Sequence, residues 1–360
     1  MKKKCLSIFV GIFLVLSAIP LTVSAQAGEI PTWIKKTASF WADGQISDGE
    51  FINAIEFLIG NDIIQVPGIG ILDSQVDEIV IGFIPIEKAE ELTPKAAQLE
   101  KYLEKQLNID VKIVVPTNYE AIIEGLRFGH IDAAFMDTGP GWIAHQRSGA
   151  EVVLAEVVKG KINYQATVWT KADNESIQSI EDTIGKRVAF TSITGSSGFI
   201  RPMGTLVANN HIQIHGDDLI ALEAALADTF EAYTFAGGYK AALELLLNDN
   251  VDAAFGSDIA PQKYLSPEQQ NMLRVVETIG PVPSHVFVVS NNMSNLTKKL
   301  LVDAMLGLND EENNHILIEI YGAEALLPTT TTMHIGDFGN FIDSLTGLEQ
   351  KILDKYNLQK

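Results

Sequence analysis

"VAFTSITGSSGFIRPMGTL", Val188–Leu206, begins apolar and β-prone, passes through Gly and Ser, and ends with helical spacing. Such a strand–turn–helix joint leaves the first N–H groups of the helix with no preceding turn to donate to. At Gly195, Ser196, Ser197 and Gly198 those amides are joined by two hydroxyls and by the positive end of the helix dipole. The combination suits a small anion and needs no Lys or Arg. It also suits a plain helix cap, a role that Ser fills well.

The same alternation extends on both sides of this joint. From Glu78, "EIVIGFIP" reads as a buried strand, "TPKAAQLEKYLEKQL" as an amphipathic helix and "VKIVVP" as a second strand. Helix "YEAIIEGLRFG" and strand "IDAAFM" follow, which predicts helices packed on a mainly parallel sheet. An internal echo extends the pattern. "Tyr119-EAIIEGLRFGHI-Asp132-AAF" and "Tyr239-KAALELLLNDNV-Asp252-AAF" share one layout, with Tyr at a helix start and Asp opening an apolar strand. Two such α/β units imply two lobes of one architecture, with a ligand cleft between them. Asp132 and Asp252 read as strand-start hydrogen-bonders, since carboxylates repel an anion. Asp137 and Thr138, just beyond "IDAAF", fall at the cleft rim, where the Thr138 hydroxyl could donate to a ligand.

The formal net charge is −20, with 26 Lys and Arg against 46 Asp and Glu, which argues against nucleic acid as a partner. Residues 1–27 read as an export signal: "MKKK", then "LSIFVGIFLVLSAIPLTV", then small residues in "SAQA". The apolar run is also long enough for a retained membrane anchor. Cys5, the only cysteine, lies within this segment, so the exported chain would have no thiol for disulfides, nucleophilic Cys or Cys-bound zinc. Residues 28–72 form a separate predicted module, a helical hairpin with the capping box "Ser47-Asp-Gly-Glu50". Beyond it, 78–168 is expected as lobe 1, 169–287 as lobe 2, and 288–360 as a return to lobe 1 with C-terminal helices. Hinges are expected near Trp169–Lys171 and Phe287–Ser290. His211 and His215 have a metal-like i,i+4 spacing, but the Gly in "NNHIQIHGDD" favours a loop, and no metal or cofactor is expected.

Val188-Ala-Phe190, Gly195-Ser-Ser-Gly198 and Pro202 are similar to the "VAF…DP-x-S-T-S-G-x-x-x-P" stretch of phosphonate- and phosphite-binding proteins of ABC importers. "PTNYEAIIEGLRFGHIDAAF" and "INYQATVWTK" resemble the same family, and the likeness runs from about Glu78 onward. The resemblance implies an α/β, two-lobed, periplasmic-binding-protein-like (type II) fold with a cleft between the lobes. It also implies an ABC permease and ATPase as partners, and an extracytoplasmic location. It carries ligand roles to Tyr119, Tyr164, Gly195, Ser196 and Ser197. Tyr239 stands where the family usually has His; its phenol can still donate but brings no titratable positive charge. Carboxylates that hold a ligand amine in aminoalkylphosphonate binders align with Ile259 and His285, with Asp258 one position away. The ligand expected is therefore a phosphorus oxyanion without an amine, such as phosphite or methylphosphonate, with His285 at the cleft. A Ser196 or Ser197 hydrolase is the competing reading, but "TGSSG" lacks the G-x-S-x-G spacing and an evident base. A sensor sharing the binding fold is a third.

Overall fold

The computed structural model describes residues 38–39, 41–44, 47, 51, 76–83, 89–116 and 118–354. The expected export signal lies outside these residues, as does most of the expected helical module. The chain divides into two units, Met1–Pro67 and Gly68–Lys360. In the first, Trp41 stacks on Phe51 with ring centroids 4.7 Å apart.

The second unit contains two sheets. Its elements begin β1 (Glu78–Phe83), α1 (Ala89–Leu107), β2 (Asp110–Val114), α2 (Tyr119–Phe128), β3 (Ala133–Met136), α3 (Thr138–Ser148) and β4 (Glu151–Val157). Then come β5 (Asn163–Lys171), β6 (Arg187–Phe190), α4 (Arg201–Ala208), α5 (Leu219–Thr229), β7 (Ala232–Phe235), α6 (Tyr239–Leu247), β8 (Ala253–Ser257) and β9 (Leu273–Pro283). The last are β10 (Val286–Val289), α7 (Asn295–Leu306), α8 (Asn314–Tyr321), β11 (Ala325–Pro328), α9 (Asp337–Ser344) and α10 (Glu349–Leu353). The first sheet has the order β11-β4-β10-β3-β1-β2 and the second β7-β6-β8-β5-β9. Each combines a parallel core with antiparallel strands beside it: β1 with β2 and β3, β6 with β7 and β8.

The internal echo occupies equivalent places in the two sheets. β3 lies parallel to β1 and antiparallel to β10, while β8 lies parallel to β6 and antiparallel to β5. The two aspartates do the same work. Asp132 accepts from Val80 N at 2.8 Å, and Asp252 accepts from Arg187 N at 3.0 Å and its guanidinium at 2.6 Å. Burial raises the Asp132 pKa, whereas the Arg187 side chain holds Asp252 below the usual carboxylate range. Asp252→Ala should lower stability by about 1–3 kcal/mol, since it removes hydrogen bonds to a charged group. Because the folded pKa is depressed, the Asp252 contribution is present above the unfolded carboxylate value and lost as pH falls through the folded one. Urea titrations of both proteins should converge in acid; an equal gap at neutral and acidic pH would refute this account.

The second lobe is built around Phe190, which is fully buried. Its ring packs on Phe199, Phe230, Phe235 and Phe255 at centroid distances of 5.1 to 5.7 Å. The first lobe's sheet packs Ile79, Ile81, Phe135 and Phe287 against α1, α7 and α8.

The chain leaves the first sheet after Val157 and returns at Val286. The expected lobe boundary at 168/169 and the expected hinge at Trp169–Lys171 therefore fall inside β5, a strand of the second sheet. The Phe287–Ser290 hinge largely coincides with β10. Residues held in ladders on both sides lack free backbone rotation, so the crossings lie at 158–162 and 284–285 instead. They are tied together: Val158 and Lys161 exchange both backbone hydrogen bonds, and Ser284 N donates to Ile162 O at 2.9 Å. The C-terminal part also departs from a simple return to lobe 1. In α9, Asp343 accepts from Trp142 Nε1 of α3 at 2.9 Å, while Phe341 lies 4.5 Å beneath the guanidinium of Arg201 of α4. α9 thus packs on both lobes.

Candidate functional site

β6 brings the chain to Thr191, and a tight turn closes with Gly195 N donating to Ser192 O at 3.0 Å. A π-helical turn, Ser196–Ile200, then runs directly into α4. Phe199 N and Ile200 N both donate to Gly195 O at 2.9 Å. The amides of Ser196, Ser197 and Gly198 find no backbone acceptor among the described residues. Two of the glycines are steric requirements. A Cβ on Gly195 or Gly198 would run into the Thr191 side chain. Pro202 sits in the first turn of α4, where a missing N–H costs nothing.

Three hydroxyls from three elements meet beside this turn. Ser197 is fully buried, and its Oγ lies 2.8 Å from Tyr239 Oη at the start of α6. Tyr164, from β5, interacts with both; burial and the neighbouring Tyr239 push its phenol well above the ordinary value, so it stays protonated and able to donate. Gly256 of β8 leaves room for the Tyr239 ring, which a Cβ there would meet at 3.2 Å.

A cavity of about 570 Å³ separates this turn from the first sheet. Its lining includes Tyr164, Gly195, Ser196 and Tyr239 from the second lobe, and Thr138 and His285 opposite. Two expected ligand residues stand behind the lining. Ser197 is covered, with its hydroxyl on Tyr239. Tyr119 is 3% exposed, and its Oη accepts from Asp137 N at 3.3 Å, so it supports the wall. Thr138 reaches the cleft, but its hydroxyl donates to Pro283 O and Ser284 O at 3.0 and 3.2 Å. It ties α3 to a crossing segment. His285 has carboxylates at both ring nitrogens, Glu156 3.0 Å from Nδ1 and Asp137 3.4 Å from Nε2.

The expectation of a cleft without cations needs correction, because Lys159 and Lys161 of the crossing turn line it. The signal was present in "VVKGKIN", where a Lys-Gly pair between two apolar runs marks a turn. Lys159 has φ 51° and Gly160 φ 71°, both left-handed. Glu156 was also missed, since alternation in "EVVLAEVV" gives no hint that this carboxylate ends the strand at the cleft. Ile259 and Asp258 both line the cavity, but Asp258 Oδ1 accepts from Gln165 N and Ser257 Oγ within its own lobe. His211 lies 3.5 Å from Glu181, away from the cleft residues.

Two lobes joined by paired crossings, with amides and hydroxyls presented to the space between them, define a type II solute-binding fold. The chain belongs to the family described as "ABC transporter, phosphonate, periplasmic substrate-binding protein", whose profile matches residues 81–333. It is 29% identical over 194 residues to the "Phosphate-import protein PhnD" of Mycolicibacterium smegmatis, covering 52% of this chain and 58% of that protein. The chain thus spans little more than half the length of that relative. It is 24% identical over 257 residues to the "Phosphonates-binding periplasmic protein" of Escherichia coli K12, covering 69% and 72%. Among solved structures, PhnD1 from Prochlorococcus marinus (MIT 9301) in complex with methylphosphonate shares the fold. Its TM-score is 0.50 at 18% identity, covering 74% of this chain and 99% of that one. Among the described residues no helix is long and apolar enough to cross a membrane.

Proposed function

We propose that this protein is the extracytoplasmic solute-binding component of an ABC importer and captures a small phosphorus oxyanion by closing its lobes. Phosphite and methylphosphonate are the ligands intended. The observation that carries this reading is the Ser197–Tyr239–Tyr164 hydroxyl cluster beside the open amides of Ser196–Gly198. Neutral donors fixed by folding hold an oxyanion without reorganising. Closure turns on the paired crossings at 158–162 and 284–285, bringing the Asp137–Thr138 wall toward the turn. A permease and an ATPase are the partners that family membership supports.

The arrangement favours holding over turnover. The Ser197 hydroxyl is paired with a phenol, and both nitrogens of His285 face carboxylates, so this serine lacks the adjacent base that a nucleophile needs. An aminophosphonate is a second reading, favoured by Asp137 and Glu156 on the wall, but His285 already stands between them. Calorimetry on the purified protein should give binding of methylphosphonate or phosphite, with 2-aminoethylphosphonate weaker. Tighter binding of the amine would reverse the choice. Ser197→Ala should weaken methylphosphonate binding by about 1–3 kcal/mol, whereas wild-type affinity would move the site elsewhere.

A further inference from the structure

An anion cleft walled by carboxylates poses a physical problem. The Asp137 side chain is 11% exposed and that of Glu156 8%, and both contact His285. Asp137 caps α3 in position but makes no side-chain capping bond. Its charge reaches across the cleft, being one of the influences that raise the Tyr164 phenol on the opposite wall. The other groups facing it are few. β4 supplies Glu156 and the crossing supplies His285. α2 supplies Tyr119, whose Oη accepts from Asp137 N. α8 supplies Tyr321, kept protonated by burial and by the charges of Glu156 and Asp137. Lys159, Lys161 and Asp258 complete the charged lining.

One imidazolium cannot neutralise two carboxylates, so this wall stays negative even with His285 protonated. A carboxylate can only accept hydrogen bonds. An oxyanion stripped of protons, pressed against Asp137 by closure, meets repulsion in a site that excludes water. An oxyanion that keeps one proton can donate it, forming a short charge-assisted O–H···O⁻ bond.

We propose that Asp137 is a specificity residue that admits oxyanions bearing a proton and rejects those with none, so that singly protonated phosphonate or phosphite binds and sulfate does not. The proposal rests on the phosphorus-oxyanion reading above. The test is calorimetric titration of the full protein with methylphosphonate and with sulfate at about pH 6 and about pH 8. Wild type should bind sulfate at least about 100-fold more weakly at both pH values. Its methylphosphonate affinity should fall by up to about tenfold per pH unit above the second ionisation of the ligand. Asp137→Asn, which keeps a good capping residue and adds an N–H donor, should admit sulfate and flatten the fall with pH.

Sulfate binding to wild type as tightly as methylphosphonate would overturn the proposal. So would an Asp137→Asn protein that keeps both the sulfate rejection and the pH profile. A pH dependence lost in His285→Gln but retained in Asp137→Asn would assign the effect to the imidazole and also defeat it. Failure of methylphosphonate and phosphite to bind at any pH would instead remove the ligand class itself.

Discussion

Phe190→Ala is expected to lower the unfolding free energy by about 3–5 kcal/mol, the range for emptying an aromatic from a closed core. The residue has no exposed surface, and its ring touches four other phenylalanines drawn from the turn, β7, β8 and the end of α5. Backbone from strands on both sides holds β6 in place, so the site cannot collapse onto the void. Chemical denaturation should show the loss as a lower midpoint with little change in slope. Ligand should recover part of it by mass action. A loss below about 1 kcal/mol would mean that the core repacks around the gap.

Gly198→Ala should do more damage to binding than its single methyl suggests. The added carbon would run into Thr191, which follows directly from β6 and cannot retreat without breaking the strand. The turn must open instead, moving the amides of Ser196 and Ser197 and the Ser197 contact with Tyr239. Overpacking of this kind costs about 1–3 kcal/mol of stability, and a misplaced cradle should weaken methylphosphonate by at least about tenfold, or 1.4 kcal/mol. Calorimetry and denaturation on the same sample separate the two effects. Wild-type affinity at reduced stability would show that the turn is structural and does not hold the ligand.

Much of this was readable in the order of residues. The two Tyr…Asp-Ala-Ala-Phe echoes predicted equivalent units, and β3 and β8 occupy equivalent positions in their sheets. Asp132 and Asp252 were expected to bond at strand starts, and they do. The Gly-Ser-Ser-Gly joint stands where a strand meets a helix, as its composition implied. Each of these depends on neighbours within a few residues, where side-chain period and glycine tolerance act directly.

The crossings were misplaced because "INYQATVWTK" alternates like any strand and carries no mark of the sheet it joins. Depth was equally hidden. Ser196 and Ser197 are adjacent in the chain, yet one lines the cavity and the other is covered with its hydroxyl on Tyr239. The charge of the cleft wall also came only from folding, which gathers Asp137, Glu156 and His285 from the ends of three strands.

By itself, then, the order of residues determined an α/β chain of two related units and the chemistry of one strand-to-helix turn. Tertiary structure alone decided where the lobes divide, which hydroxyls meet, and that carboxylates stand across from the cradle. The reason is range: periodicity and capping act over a few residues, whereas pairing of strands far apart in the chain sets which side chains share a cavity.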